Sequence, residues 1–408
     1  MIVVVGAGAA GLVASIFART HNGPVTVVER TADGGRKILI SGGGRCNVLP
    51  ESLEPRRFVS DSSAPLVRRL LQSWPVREQH AFFERDVGVP LALEAESRKW
   101  FPASNKARDV RDGLIALARA RGVAFQFNTD LVSLRRSSDG WIVETSRGDV
   151  EASVVILATG GLSVPLTGST GDGLRLAAAL GHVVHDTYPA LTPLVVSPPR
   201  HANLSGLSLD VSITAKSAHE EVRARGGFLF THRGYSGPAV LDVSHVAIRS
   251  LTRDVDRATL AVQWCEMDER AWHAALIGVP GPVVNVLAGH LPRRLAEQLV
   301  VDAGLPLTRL GAELRRDERM AVVDALVRYA LPWTGDEGYK KAEVTGGGVA
   351  LDEIDPKTLG SRRQPSLFLC GELLDAFGPI GGHNFSWAWA TGRLAGLGAA
   401  AQRRSAPA

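Results

Sequence analysis

The strongest constraint on this chain begins six residues from its start. Four apolar β-formers, Ile2-Val3-Val4-Val5, run into Gly6-Ala7-Gly8-Ala9-Ala10-Gly11, and residues 12–20 then carry an amphipathic helical pattern. Strand, glycine turn and helix in that order open a dinucleotide-binding βαβ unit. Gly6 permits the tight turn, Gly8 lacks a Cβ that would hold a pyrophosphate off the backbone, and Gly11 lets helix pack closely on strand. The N–H groups that start the helix have no intrahelical partner and point at the phosphates. A second apolar run, Val25-Thr26-Val27-Val28, ends in Glu29, eighteen residues beyond Gly11. An acid there accepts hydrogen bonds from a ribose hydroxyl. Behind that strand, Gly34-Gly35-Arg36-Lys37 and the run from Ser41 through Gly43, Arg45 and Cys46 to Asn47 add backbone donors and cations suited to a longer cofactor.

At 408 residues the chain has room for two domains, or one domain with an insertion. Its net charge of +4 is small for that length, and no basic run is interleaved with aromatics, so nucleic acid is not an expected partner. The high pI is compatible with anionic ligands. Three cysteines, Cys46, Cys265 and Cys370, form no close pair. Neither a disulfide framework nor a metal site is expected, which fits a reducing cytoplasm. No signal peptide is apparent, and the apolar runs are too short to span a membrane.

Residues 65–87 read as helical with a break at Pro75, and 107–121 as a clear amphipathic helix. Short strands follow at 123–127, 131–135 and 141–146, the last two a hairpin about Ser138-Asp139-Gly140. A buried strand at 153–158 delivers Thr159-Gly160, a second face of the nucleotide site beyond a strand's carboxyl end. Asp172 then stands at a helix start, either as an N-cap or facing the cofactor. From 189 the character changes, with clustered prolines and alternating segments. The expected division is 1–188 and 341–408 as one nucleotide-binding domain, interrupted by 189–340, β-rich over 189–265 and helical over 268–332.

The nucleotide signals resume in Val344-Thr345-Gly346-Gly347-Gly348-Val349, in a strand at 367–370 leading to Glu372 and Asp375, and in Gly381-Gly382-His383-Asn384-Phe385 at a helix start. A strand ending in glycine and acid, then a glycine pair at a helix N-terminus, suits a flavin. The acid binds ribitol hydroxyls, and the helix end stabilises charge on the reduced ring. The alternative is an ordinary packing unit with a capping acid.

These pieces together resemble a bacterial family of FAD-dependent flavoproteins. Its members are labelled NAD(P)/FAD-dependent oxidoreductases or aminoacetone oxidase-like proteins, with a branch that reduces C=C bonds in 3-oxo bile acids. The resemblance runs through GAGAAG (6–11), GGRKILISGGGRCN (34–47), FPASNKARDV (101–110), TGGLSVPLTGSTGDG (159–173), LFTHRGYSGPA (229–239), VTGGGV (344–349) and GELLDAFGPIGGHNFSWAWATG (371–392). It implies an α/β fold, a glutathione-reductase-type FAD-binding Rossmann-like domain interrupted by a β-barrel-like domain with a small helical subdomain. It also implies FAD contacts at Gly6, Gly8, Ala10, Gly11, Glu29, Arg30, Arg36, Lys37, Gly43, Arg45, Cys46 and Asn47. Further contacts carry over to Val132, Thr159, Gly160, Glu372, Asp375, Gly382, His383, Asn384 and Phe385. His383 departs from the Tyr or Phe common in the family; the imidazole either donates to the flavin or fills the same space.

Chemistry is less legible than binding. No second GxGxxG follows Gly11 and no cysteine pair forms a dithiol relay. The flavin is therefore reduced by NAD(P)H visiting transiently or by another donor, or is reoxidised by oxygen. The expected activity is an FAD-dependent oxidoreductase moving a hydride to or from flavin N5 on a small organic substrate. A flavin-binding regulatory or structural protein with incidental turnover stays open, as does a dehydrogenase that uses NAD alone. His232 and Tyr235 are the candidates for proton transfer and Arg233 for holding an anionic substrate, all in the turn-rich stretch 227–238 of the insertion. Cys46, in a cationic loop, is a candidate nucleophile or a small packed residue beside the flavin ring.

Overall fold

The computed structural model describes residues 1–19, 23–253 and 256–405. Five parallel strands form its first sheet, in the order Leu367–Leu369, Val154–Leu157, Ile2–Val5, Val25–Val28, Val123–Gln126. The three central strands are apolar except for Thr26 and buried along their whole length, as a parallel sheet covered on both faces requires. Fully burying each Val or Leu there contributes about 1.5–3 kcal/mol. Val5 pairs with Leu157 on one side and Val28 on the other, so the strands flanking the glycine turn end level with it.

The turn leads into a helix at Ala9–Ala18, which the closing helix His383–Ser405 crosses at very short range. A Cβ on Gly392 would lie 2.4 Å from the Ala10 carbonyl oxygen, and one on Gly396 2.4 Å from that of Ala14. The predicted end of the first helix, residue 20, lies outside the described residues. The stretch expected to be helical around Pro75 forms helices Ala64–Gln72 and Val76–Phe82. A meander of Leu131–Ser137, Gly140–Thr145 and Gly148–Ala152 leaves and rejoins the parallel sheet. Fully buried Trp141 anchors it by donating to the Pro365 carbonyl at 3.2 Å.

The chain divides into two compact units, 1–189 with 343–408, and 190–342. The second carries a seven-stranded sheet that starts at Tyr329–Ala330 and ends at Gly335–Asp336, with the long hairpin of Ser208–Lys216 and Glu221–Phe230 in its middle. Six inter-strand gaps would set the edges of a flat sheet about 29 Å apart. The two edge strands are joined by residues 331–334 alone, and five steps of extended chain reach at most about 18 Å. The sheet must therefore curl into a barrel-like wall. Helices Glu269–Leu276, Val283–Ala288, Arg293–Asp302 and Arg316–Val327 form the helical part; Asp268 caps the first by accepting from the Ala271 N–H at 2.7 Å.

Three expectations change. The first is that 189–265 is not β-rich throughout, since Pro238–Arg253 is a helix. The stretch 227–238 is not mainly turn: its first four residues finish the strand Glu221–Phe230, and Gly234–Ser236 is another strand across a tight turn. The glycines at 346–348 lie within a buried strand, Val344–Val349. Glycine is required there because a Cβ on Gly346 would meet the Tyr188 ring at 2.3 Å.

Candidate functional site

The three glycines of the first turn have different causes. Gly6 sits at φ +101°, where a Cβ would lie 2.5 Å from the Ala158 oxygen, and a Cβ on Gly11 would lie 1.9 Å from the Gly6 oxygen. Both are demanded by the chain's own packing. Around Gly8, its chain neighbours aside, no atom of the described residues comes within 4 Å of where a Cβ would be. That open space lies at the N-terminus of the Ala9–Ala18 helix, which has no side-chain cap and no acid in its first turn. An anion fits there on both counts.

Glu29 is buried, and its oxygens accept from the Ala7 N–H at 2.6 Å and from the Thr31 N–H and hydroxyl at 2.7 Å each. Three of about four acceptor positions on the carboxylate are thus used, leaving room for one ribose hydroxyl. Just beyond, Arg30, Thr31, Arg36, Asn128, Asp130 and Leu166 help line a cavity of about 320 Å³. Arg30 pairs with Asp130 at 3.0 Å and Asp172 at 2.9 Å. Asp172 is the first helical residue after Gly171, and its carboxylate is spent on Arg30, Arg175 and Thr170 rather than on capping. Val132 is 62% exposed in the adjoining meander.

The loop 34–47 brings its cations in already paired. Arg36 meets Asp33 at 3.0 Å; Arg45 meets Glu94 at 2.9 Å and lies over the Phe101 ring at 4.0 Å. Lys37 reaches Glu372 at 2.6 Å and also donates to Ser163. The other Glu372 oxygen accepts from the Thr345 N–H and hydroxyl, both at 2.9 Å, and from Ser163. Ser163 and Thr345 were not among the sequence candidates; a lone Ser and Thr have no spacing signal, and only the fold brings residues 37, 163, 345 and 372 together.

Cys46 is fully buried, and burial pushes its thiol up to about 12. It is a packed residue and not an activated nucleophile, because the loop's cations are paired and desolvation dominates. The side-chain oxygen of Asn47 is buried without a partner among the described residues, and so, elsewhere in the unit, is the hydroxyl of Thr159. A Cβ on Gly43 would meet nothing within 4 Å. Gly160 takes a left-handed turn at φ +72°.

Asp375 is buried, and one of its oxygens accepts from the Ser60 hydroxyl, the Asp61 and Ser62 N–H groups and the Ser62 hydroxyl at 2.8–3.2 Å. Burial raises its pKa, against the pull of Ser60 and of His185 at 3.8 Å. Asn384 braces the loop before the closing helix, accepting from Gly378 N–H at 2.8 Å and donating to its carbonyl at 2.9 Å. Gly382, at φ +93°, lets that loop lie against the Leu49–Pro50 backbone, and Phe385 stacks on Trp389 at 5.3 Å.

In the second unit the sequence candidates separate. His232 and Arg233 are exposed in the turn that Thr231 closes by bonding Gly234, and Arg233 lies 3.7 Å from Glu337. Tyr235 is fully buried, its hydroxyl 2.8 Å from Nδ1 of His201. The other ring nitrogen of His201 meets the Tyr329 hydroxyl at 3.0 Å, which donates to Asp302 at 2.6 Å. Burial alone would raise Asp302, but the bonds from His201 and Tyr329 hold it down at about 2. Burial raises the Tyr235 phenol.

An open pyrophosphate cradle at Gly8, a buried ribose acid at Glu29 and the cavity beside it fit a dinucleotide with two phosphates. With the parallel sheet, they define a Rossmann-type dinucleotide site, and the family match makes this an FAD-dependent oxidoreductase. Residues 1–398 match the family described as HI0933-like protein Rossmann domain, and the chain belongs to that family. It is 31% identical over 399 residues to a ribosomal RNA dihydrouridine synthase of Escherichia coli, covering 95% of each chain. It is 30% identical over 407 residues to a 3-dehydro-bile acid delta(4,6)-reductase of Clostridium scindens, covering 97% of this chain and 98% of that one. Among solved structures it is similar to a 3-ketosteroid delta1-dehydrogenase of Sterolibacterium denitrificans, with TM-score 0.53, 13% identity, and 98% and 99% coverage; this likeness concerns the fold. No helix among the described residues is long and apolar enough to cross a membrane.

Proposed function

We propose that this flavoenzyme reduces a carbon–carbon double bond conjugated to a carbonyl, and that the bond belongs to a uracil ring in RNA. One observation carries the reaction class: two full-length relatives at 30–31% identity are named for different substrates but the same change, two hydrogens added across such a bond. Gly8, Glu29, Glu372 and the closing helix would hold FAD, which when bound would supply hydride chemistry. His232 is the proposed donor of the proton to the carbon next to the carbonyl, and Arg233 the proposed holder of an anionic substrate group. NAD(P)H is the proposed source of electrons.

The RNA assignment also draws on the surface of the first unit. Helix Ala64–Gln72 contains no acid, its Arg68 and Arg69 are exposed, and Arg56 and Arg57 are exposed just before it. Phosphodiesters are bound by such cations. Basic runs without interleaved aromatics had argued against nucleic acid; a backbone-reading surface needs no aromatics. A small 3-oxo substrate is the second reading, favoured by the bile-acid reductase relative.

The test is anaerobic mixing of the reduced holoenzyme with unmodified ribosomal RNA or with a 3-oxo-Δ4 steroid, following flavin reoxidation and the saturated product. RNA should reoxidise the flavin and gain dihydrouridine. Reoxidation by the steroid alone transfers the proposal to the second reading, and reoxidation by oxygen but neither substrate overturns both.

A further inference from the structure

Leu166 is the most exposed large apolar side chain among the described residues, at 91%. It stands on the short turn Pro165–Thr167 and lines the cavity of about 320 Å³ together with Arg30, Thr31, Asn128 and Asp130. A single exposed leucine needs no cause, but the backbone carrying this one is held in place. Val164 before it takes φ +48°, a left-handed conformation that a β-branched residue adopts only under constraint. The Thr167 N–H and hydroxyl both donate to the Val164 carbonyl, at 2.9 and 2.8 Å. Ahead of the turn, the Ser163 N–H donates to the Thr345 hydroxyl at 3.1 Å. Behind it, Gly168 has φ +102°, a Cβ there would meet Thr31 at 3.2 Å, and its carbonyl accepts from Arg30 at 3.3 Å. The turn is thus fastened at both ends, and its foot rests on the two residues that follow Glu29.

The place of the cavity selects its occupant. Glu29 and the Gly8 turn provide for a ribose and a pyrophosphate, and Arg30 and Thr31 carry the cavity wall on from the ribose acid. The group attached to that ribose is a nucleobase, a flat ring with apolar faces. Charges in the wall are already matched, Arg30 by Asp130 and Asp172 and Arg36 by Asp33, so a further anion gains little there. We propose that Leu166 is the apolar contact for the adenine of bound FAD, presented by the constrained turn beneath it. The inference deepens the cofactor assignment above and rests on it. Backbone that is already ordered loses no conformational freedom on binding, so more of the buried area counts toward affinity.

The test separates the base from the phosphates. The full-length chain, stripped of flavin, is titrated calorimetrically with ADP and with inorganic pyrophosphate, in wild type, in Leu166→Ser and in Leu166→Met. Leu166→Ser should bind ADP about tenfold more weakly than wild type and pyrophosphate equally well. Leu166→Met, which keeps the apolar area, should bind ADP as wild type does. All three should share one Tm, because residue 166 is exposed. Equal ADP affinity in wild type and Leu166→Ser overturns the inference and leaves the cofactor site intact. A loss shared equally by ADP and pyrophosphate also overturns it, since that marks a disturbed turn and not a lost base contact. A wild-type chain that binds neither ligand overturns the cofactor site itself, and the inference with it.

Discussion

Gly6 and Gly8, two positions apart, are glycines for different reasons. Among the described residues nothing crowds a Cβ at Gly8, whereas one at Gly6 meets backbone at 2.5 Å. Gly8→Val should therefore fold with nearly wild-type Tm and contain no FAD, while Gly6→Val should fail in stability first. Flavin content and thermal unfolding of the two variants, side by side, check this; normal flavin in Gly8→Val would remove the pyrophosphate from that site. Glu29 has a double duty, since it also ties Ala7 to Thr31. Glu29→Ala should lower FAD affinity by about 1.5–3 kcal/mol and lower stability as well. Cys46, held at about 12 by burial, should resist alkylation at pH 8 in the native protein, as peptide mass spectrometry would read.

At the scale of elements, the crossing of Ala9–Ala18 with His383–Ser405 sets the site. Both helices start at glycine turns, and their close approach depends on Gly392 and Gly396. A methyl at either position must displace backbone. Gly396→Ala should cost about 1–3 kcal/mol, visible as a lowered Tm, and should weaken flavin retention although residue 396 is no cofactor contact. The sequence shows both helices, and their pairing is not written in any spacing, because residues 392 and 10 meet only after the sheet orders the strands between them. The network of Lys37, Ser163, Thr345 and Glu372 was illegible for the same reason, and the ribitol role of Glu372 could be proposed only from its glycine–acid context.

At the scale of the molecule, the second unit is a curled sheet built around a buried polar chain, Tyr235, His201, Tyr329 and Asp302. Asp302 titrates at about 2 in the fold, below its ordinary value. Its folded pKa is depressed, so its stabilisation is present above about pH 4 and is lost as pH falls toward 2. The loss amounts to about 2 kcal/mol. Asp302→Asn should show less acid destabilisation than wild type across that window in thermal unfolding. Tyr235→Phe should lower stability by about 1–3 kcal/mol, since it strips His201 of a buried partner, whereas exposed His232→Ala should leave Tm unchanged and lower turnover.

What the amino-acid order determined alone was local. Each part of the nucleotide motif, from the Gly6 turn to Glu29 and later the glycine pair before His383, lies within a few residues of the strand or helix that presents it, so spacing and periodicity suffice to expose it. What only the tertiary structure decided was state and partnership. Cys46 keeps its proton because its surroundings exclude water, and Tyr235 is a core residue because His201 reaches it from 34 positions away. Burial and long-range hydrogen bonding set those properties, and both arise only when distant segments pack.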